Sequence, residues 1–155
     1  LISVMSTTGD SDVGRPTDEA RELLLTPGST IREQAIELHL AGKKVWGSPG
    51  HIDDEYERHF AGEVFDRACR PDGVGRQYKA SRADRSRSDR LRTLKVPTLV
   101  IHGDQDTLID ISGGRRTADV IPQAEFFEVV GMGHDYPEYF WTILVTAVRE
   151  HCQNI

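Results

Sequence analysis

The chain has 155 residues, the size of one domain, and its composition (37% hydrophobic, 28% charged) is that of a folded protein rather than a disordered one. Its formal net charge of −6 argues against nucleic acid or an anionic membrane surface as the main partner. No apolar run approaches the roughly 20 residues that a membrane helix needs. Cys69 and Cys152 form no CxxC pattern, so we interpret them as free thiols in the reducing cytoplasm.

The first half of the chain is predicted to contain one strand followed by several helices. Residues 1–5 form an apolar run that indicates a short buried strand, and the polar residues after it end that strand. Thr30 and Glu33 have the spacing of a capping box, and Gly42 is a natural helix stop, which predicts a helix between them. The other helices of this half are predicted over residues 17–25, 53–69 and 75–88.

The predicted helix over residues 53–69 carries a regular apolar pattern. Tyr56, Phe60 and Val64 recur every fourth residue, so we expect them to form an apolar face of this helix, whose aromatic residues either pack or line a substrate pocket. Glu55 and His59 could share one helix face as metal ligands, but acidic residues at a helix start are the simpler explanation, and we predict no metal site.

The second half of the chain alternates strands and helices. Strands are predicted over residues 98–101 and 124–130, and helices over residues 111–121 and 136–152. This order implies right-handed crossover connections, so we expect an α/β fold with a parallel sheet.

Two short motifs follow the two strands of the second half. Residues 102–106 read His-Gly-Asp-Gln-Asp, and residues 131–135 read Gly-Met-Gly-His-Asp. Because functional groups gather at the carboxyl ends of parallel strands, a carboxylate from one loop and the imidazole of the next could meet there. Such a pair is the acid–base part of a nucleophilic triad, in which the carboxylate orients the imidazole and stabilises its charged form.

These motifs resemble those of the α/β-hydrolase family. Residues 96–109, with the sequence VPTLVIHGDQDTLI, resemble the strand and turn that carry the catalytic acid, and residues 131–134 resemble the loop of the catalytic histidine. The resemblance implies that Asp106 is the acid and His134 the base, with Asp104 as the weaker candidate. His102 is interpreted as structural, and Asp135 as a plain loop position.

The resemblance extends over nearly all of the chain. It implies that residues 1–9 are a core strand of the hydrolase domain, residues 10–93 a helical cap, and residues 94–155 the C-terminal part of the core. About three strands of the hydrolase sheet are then expected here. Residues 3–10 are also similar to methylesterase-like members near the aclacinomycin methylesterase group.

The nucleophile of this family is not found in the sequence. No Gly-x-Ser-x-Gly elbow or variant of it occurs, and neither does a Gly-rich oxyanion loop. We therefore expect the chain to be the C-terminal part of a serine hydrolase that acts on small carboxylic esters without a cofactor. Its expected partner is a missing N-terminal half or a second copy of the chain, and we expect the chain alone to be inactive. The alternatives are an aspartate nucleophile, as in a haloalkane dehalogenase or epoxide hydrolase, or a fragment with no catalysis.

Overall fold

The computed structural model describes residues 1–153, and its centre is a three-stranded sheet. Strands β1 (Ile2–Val4), β2 (Leu99–Gly103) and β3 (Glu125–Val129) lie in the order β1-β2-β3, and both pairs are parallel. The parallel α/β sheet predicted from the sequence is thus confirmed. All of β2 is buried, which explains the continuous apolar run at its start, before His102.

The described residues also form seven α-helices. Five of them lie between β1 and β2, one connects β2 to β3, and the last follows β3 after a single 3-10 turn, Glu138–Phe140. In chain order they are α1 (Asp18–Leu24), α2 (Arg32–Trp46), α3 (Asp54–Arg67), α4 (Gly73–Ala83), α5 (Ser88–Leu91), α6 (Ser112–Val120) and α7 (Trp141–Gln153). None of the helices within residues 1–153 has both the length and the apolar character needed to cross a bilayer.

Helix α2 differs from its prediction at both ends. Its N-cap is Ile31, without a side-chain hydrogen bond, so the capping box predicted from Thr30 and Glu33 is wrong. The helix also continues past Gly42, where a Cβ atom would lie 2.3 Å from the Trp46 ring. Gly42 is therefore a packing residue inside the helix, and α2 ends at Trp46.

The fourth predicted helix is divided in the structure. Residues 75–88 were predicted as one helix, but α4 starts at Gly73 and ends at Ala83. The one-turn helix α5 then begins at Ser88, after residues 84–87. The predicted boundaries of the cap, between residues 9 and 10 and between residues 93 and 94, stay predictions. Residues 154 and 155 of the predicted C-terminal core part lie outside the described residues.

The core is built around β2 and the segment that follows β3. Its buried cluster consists of Met5, Leu99, Ile101, Val129, Met132 and Phe140. A smaller cluster between α2 and α3 consists of Ile36, Leu40 and Ala61. The apolar face predicted for α3 is largely exposed: Tyr56, Phe60 and Val64 are 58%, 43% and 40% exposed. The buried residues of α3 are instead Glu57, Ala61 and Gly62.

Candidate active site

Asp106 and His134 meet at the carboxyl edge of the sheet. Asp106 lies in the loop after β2, and His134 lies in the loop after β3. The Nδ1 atom of His134 is 2.7 Å from the Oδ2 atom of Asp106. The structure thus brings together the two residues that the sequence motifs selected.

The Asp106 carboxylate is buried and fully engaged. Its side chain has no exposed surface, and its Oδ1 atom accepts hydrogen bonds from the backbone N–H groups of Leu108 at 2.9 Å and Ile109 at 2.8 Å. Burial raises the pKa of this carboxyl group, but the hydrogen bonds from His102 and His134 outweigh that effect and leave the pKa below its ordinary value. Asp106 is therefore ionised at neutral pH and holds the Nδ1–H of His134.

His102 contacts the same carboxylate oxygen atom as His134. Its ring is fully buried, with Nε2 2.8 Å from the carbonyl oxygen of Ile109 and 3.3 Å from Oδ2 of Asp106. A carbonyl oxygen only accepts, so Nε2 carries the proton. The sequence interpretation of His102 as structural missed its contact with Asp106, although a histidine inside an otherwise apolar strand was a signal for it.

Asp104 has a different role in the structure. Its Oδ1 atom accepts a hydrogen bond of 2.6 Å from the backbone N–H of Gly131, where the chain has a φ of +84° that favours glycine. Asp104 thus connects the two loops at their bases, whereas Asp106 makes the bond to the imidazole.

His134 opens onto a cleft of about 590 Å³. A quarter of its side chain (25%) is exposed, which leaves the ring accessible from the cleft. The walls carry the aromatic residues Tyr56, Phe60, Tyr136, Tyr139 and Trp141 and the polar residues His39, Lys43 and Glu57. The cleft therefore combines aromatic and polar walls with an accessible imidazole ring.

Asp135, predicted as a plain loop position, is buried and bound. Its Oδ1 atom accepts hydrogen bonds from both the N–H and the hydroxyl group of Ser48. The Ser48 hydroxyl also accepts a hydrogen bond of 2.9 Å from the N–H of Gly133. Because this buried hydroxyl group both donates and accepts within the protein, Ser48 is not placed as a nucleophile. Within residues 1–153, no group of three His, Cys, Asp or Glu side chains is arranged to hold a metal ion.

Comparison with known proteins finds a family model and a related enzyme. A family model described as the alpha/beta hydrolase fold matches residues 20–138. The non-heme chloroperoxidase CPO-A1 of Kitasatospora aureofaciens is 42% identical over 45 residues, which are 28% of this chain and 16% of that protein.

Solved structures of similar shape include two enzymes described as an esterase and a putative lipase. The esterase RhEst1 of Rhodococcus sp. ECU1013 has a TM-score of 0.64 at 23% identity over 96% of this chain and 54% of its own. The putative lipase of Acinetobacter baumannii AYE has a TM-score of 0.70 at 15% identity over 100% of this chain and 54% of its own. The chain thus spans about half the length of these proteins.

Proposed function

The chain belongs to the α/β-hydrolase family, and from that premise we propose that Asp106 and His134 are the acid and base of a catalytic triad. The observation that carries the proposal is the 2.7 Å bond between them, with the carboxylate buried and the imidazole open to the cleft. With Nδ1–H donated to Asp106, the Nε2 atom of His134 is left as the proton acceptor.

The reaction we propose is hydrolysis of small carboxylic esters. A serine hydroxyl would lose its proton to His134 and attack the acyl carbon, the ester C–O bond would break, and the proton would pass to the leaving alcohol. Water activated by the same imidazole would then release the acid. The aromatic walls of the cleft and the esterase among the similar structures support this substrate class.

We propose that the serine comes from outside these 155 residues, because the sequence has no nucleophile elbow. In this proposal the chain is the C-terminal part of a longer cytoplasmic hydrolase, with residues 10–93 as its cap. The missing partner is an N-terminal half, or a second copy of the chain. The chain alone would be inactive.

The test is an assay with p-nitrophenyl acetate on this chain and on a longer parent protein. In the parent, His134→Ala is expected to lower kcat by at least about a thousandfold, because the general base is removed. Asp106→Asn is expected to lower kcat by about ten-thousandfold, because the amide favours the wrong tautomer.

Asp104→Asn is the matched control, since an amide oxygen can still accept from Gly131 and the residue does not contact His134. Near-normal turnover by a folded His134→Ala variant would refute the assignment. Turnover of a haloalkane or an epoxide, with no ester hydrolysis, would point to an aspartate nucleophile instead.

A further inference from the structure

Both loops of the Asp106–His134 pair are anchored on the C-terminal end of α2. The last carbonyl groups of a helix have no partner within the helix. Here the carbonyl oxygen of Val45 accepts a 2.7 Å hydrogen bond from the Thr107 hydroxyl group, one residue after Asp106. The carbonyl oxygen of Trp46 accepts a 2.6 Å bond from the backbone N–H of His134. One helix end thus holds the acid loop and the histidine loop together.

Ser48, two residues after α2, holds the histidine loop on both sides of His134. Its fully buried hydroxyl group accepts from the N–H of Gly133 and donates to Asp135 Oδ1, at 2.9 Å and 2.5 Å. The Ser48 N–H donates to the same carboxylate oxygen at 3.0 Å. Residues 133–135 are therefore bound to the α2 end at three consecutive positions.

The backbones approach too closely here for a side chain. A Cβ atom on Gly133 would lie 2.5 Å from the carbonyl oxygen of Trp46 and 2.5 Å from the carbonyl carbon of Gly47. Glycine at position 133 is thus required by contact rather than by backbone conformation. The loop has little freedom to shift relative to α2.

Asp135 is also tied to the helices by charge. Its Oδ2 atom is 3.2 Å from Lys43 Nζ on α2, which lies 2.9 Å from Glu57 on α3. Glu57 is in turn 2.7 Å from the His39 ring. Removing one partner from such a network leaves an uncompensated charge. The network therefore favours a single arrangement of the histidine loop and the two helices.

We propose that Ser48, Asp135 and Thr107 are positioning residues that set the His134–Asp106 geometry from the end of α2. An effect of these residues on catalysis rests on the function proposed above. Their effect on the orientation of the His134 ring can be measured without an active enzyme. A displacement of α2 would change the orientation of the imidazole without any change in the two reacting side chains. A misplacement of about 1 Å at such a site costs about a hundredfold in rate.

The test reads the ring of His134 directly. In the ¹⁵N-histidine-labelled chain, long-range ¹H–¹⁵N NMR spectra identify the tautomer of each ring, and His134→Ala assigns the signal. The wild-type chain is expected to show His134 protonated at Nδ1 with a downfield proton shared with Asp106. Ser48→Ala is expected to move the ring to a mixture of tautomers and weaken that proton signal, with the helical circular dichroism retained.

Ser112→Ala is the matched control, because the Ser112 hydroxyl also accepts a backbone N–H, from Gly14 at 3.0 Å, but does not contact the histidine loop. Thr107→Val replaces Ser48→Ala as the deciding variant if the latter fails to fold. A wild-type His134 spectrum in either folded variant would overturn the positioning role, whether or not a parent protein hydrolyses esters. In an active parent, we expect Ser48→Ala to lower kcat by about 10- to 100-fold with KM unchanged.

Discussion

Asp106 shows how a buried charge is tolerated when each of its oxygen atoms has partners. A carboxylate offers about four acceptor positions. Two backbone N–H groups bind Oδ1, and the rings of His134 and His102 approach Oδ2. The carboxylate is thus held through both of its oxygen atoms, and His102 is a hydrogen-bonding partner of Asp106 as well as a core residue.

At the residue scale, we predict that His102→Phe is more destabilising than His102→Gln. Phenylalanine keeps a ring but leaves Asp106 and the Ile109 carbonyl without this donor, which costs about 1–3 kcal/mol in the free energy of unfolding. Glutamine offers an amide N–H in its place. Urea unfolding followed by circular dichroism measures the difference, and equal stability of the Phe variant and the wild type would contradict a hydrogen-bonding role.

At the scale of elements, the sequence predicts those features that depend on neighbouring residues in the chain. The buried strand β2 was predictable because its apolar run is continuous, and Asp106 and His134 because each follows a strand in a short motif. The bond between Ser48 and Asp135 joins positions 87 residues apart, so no local pattern indicated it. The end of α2 was predicted too early because Gly42 stays inside the helix and packs against the Trp46 ring, a contact that the residues before it do not indicate.

Asp10 connects three elements and gives a prediction at this scale. Its carboxylate accepts hydrogen bonds from Ser86 and Ser88, at the start of α5, and from Arg116 on α6. The hydrogen bonds from Ser86 and Ser88 hold the pKa of Asp10 well below its ordinary value, against the opposing effect of burial. The stabilisation is therefore complete above the unfolded-state value of 3.8 and is lost as the pH falls below it.

Asp10→Asn is accordingly expected to lower the free energy of unfolding at pH 7 by about 1–3 kcal/mol, since charge-assisted hydrogen bonds are lost. The difference from the wild type should shrink as the pH falls below about 4. Asp12→Asn is the control, because Asp12 also pairs with Arg116 but is largely exposed and contributes little. Urea midpoints between pH 2.5 and 7 measure both. A gap that stays constant across this range would contradict the assignment.

At the scale of the whole molecule, one face combines an open sheet edge with exposed aromatic residues. Strand β1 pairs with β2 on one side, and no strand within residues 1–153 pairs with its other side. The nearby cleft carries Phe60 and Trp141, which are 43% and 53% exposed. Open strand edges and large apolar patches are the surfaces through which chains associate.

We therefore predict that the chain produced alone associates with further copies of itself through this face. Sedimentation velocity at increasing concentration should show a shift from monomer to larger species. Phe60→Lys combined with Trp141→Lys should reduce that shift, because two charges would then have to be buried in the contact. Val145→Lys is the matched control, since Val145 is 64% exposed on α7 and does not line the cleft. A wild-type chain that stays monomeric at all concentrations would contradict the prediction, and equal association of the double variant and the control would place the contact elsewhere.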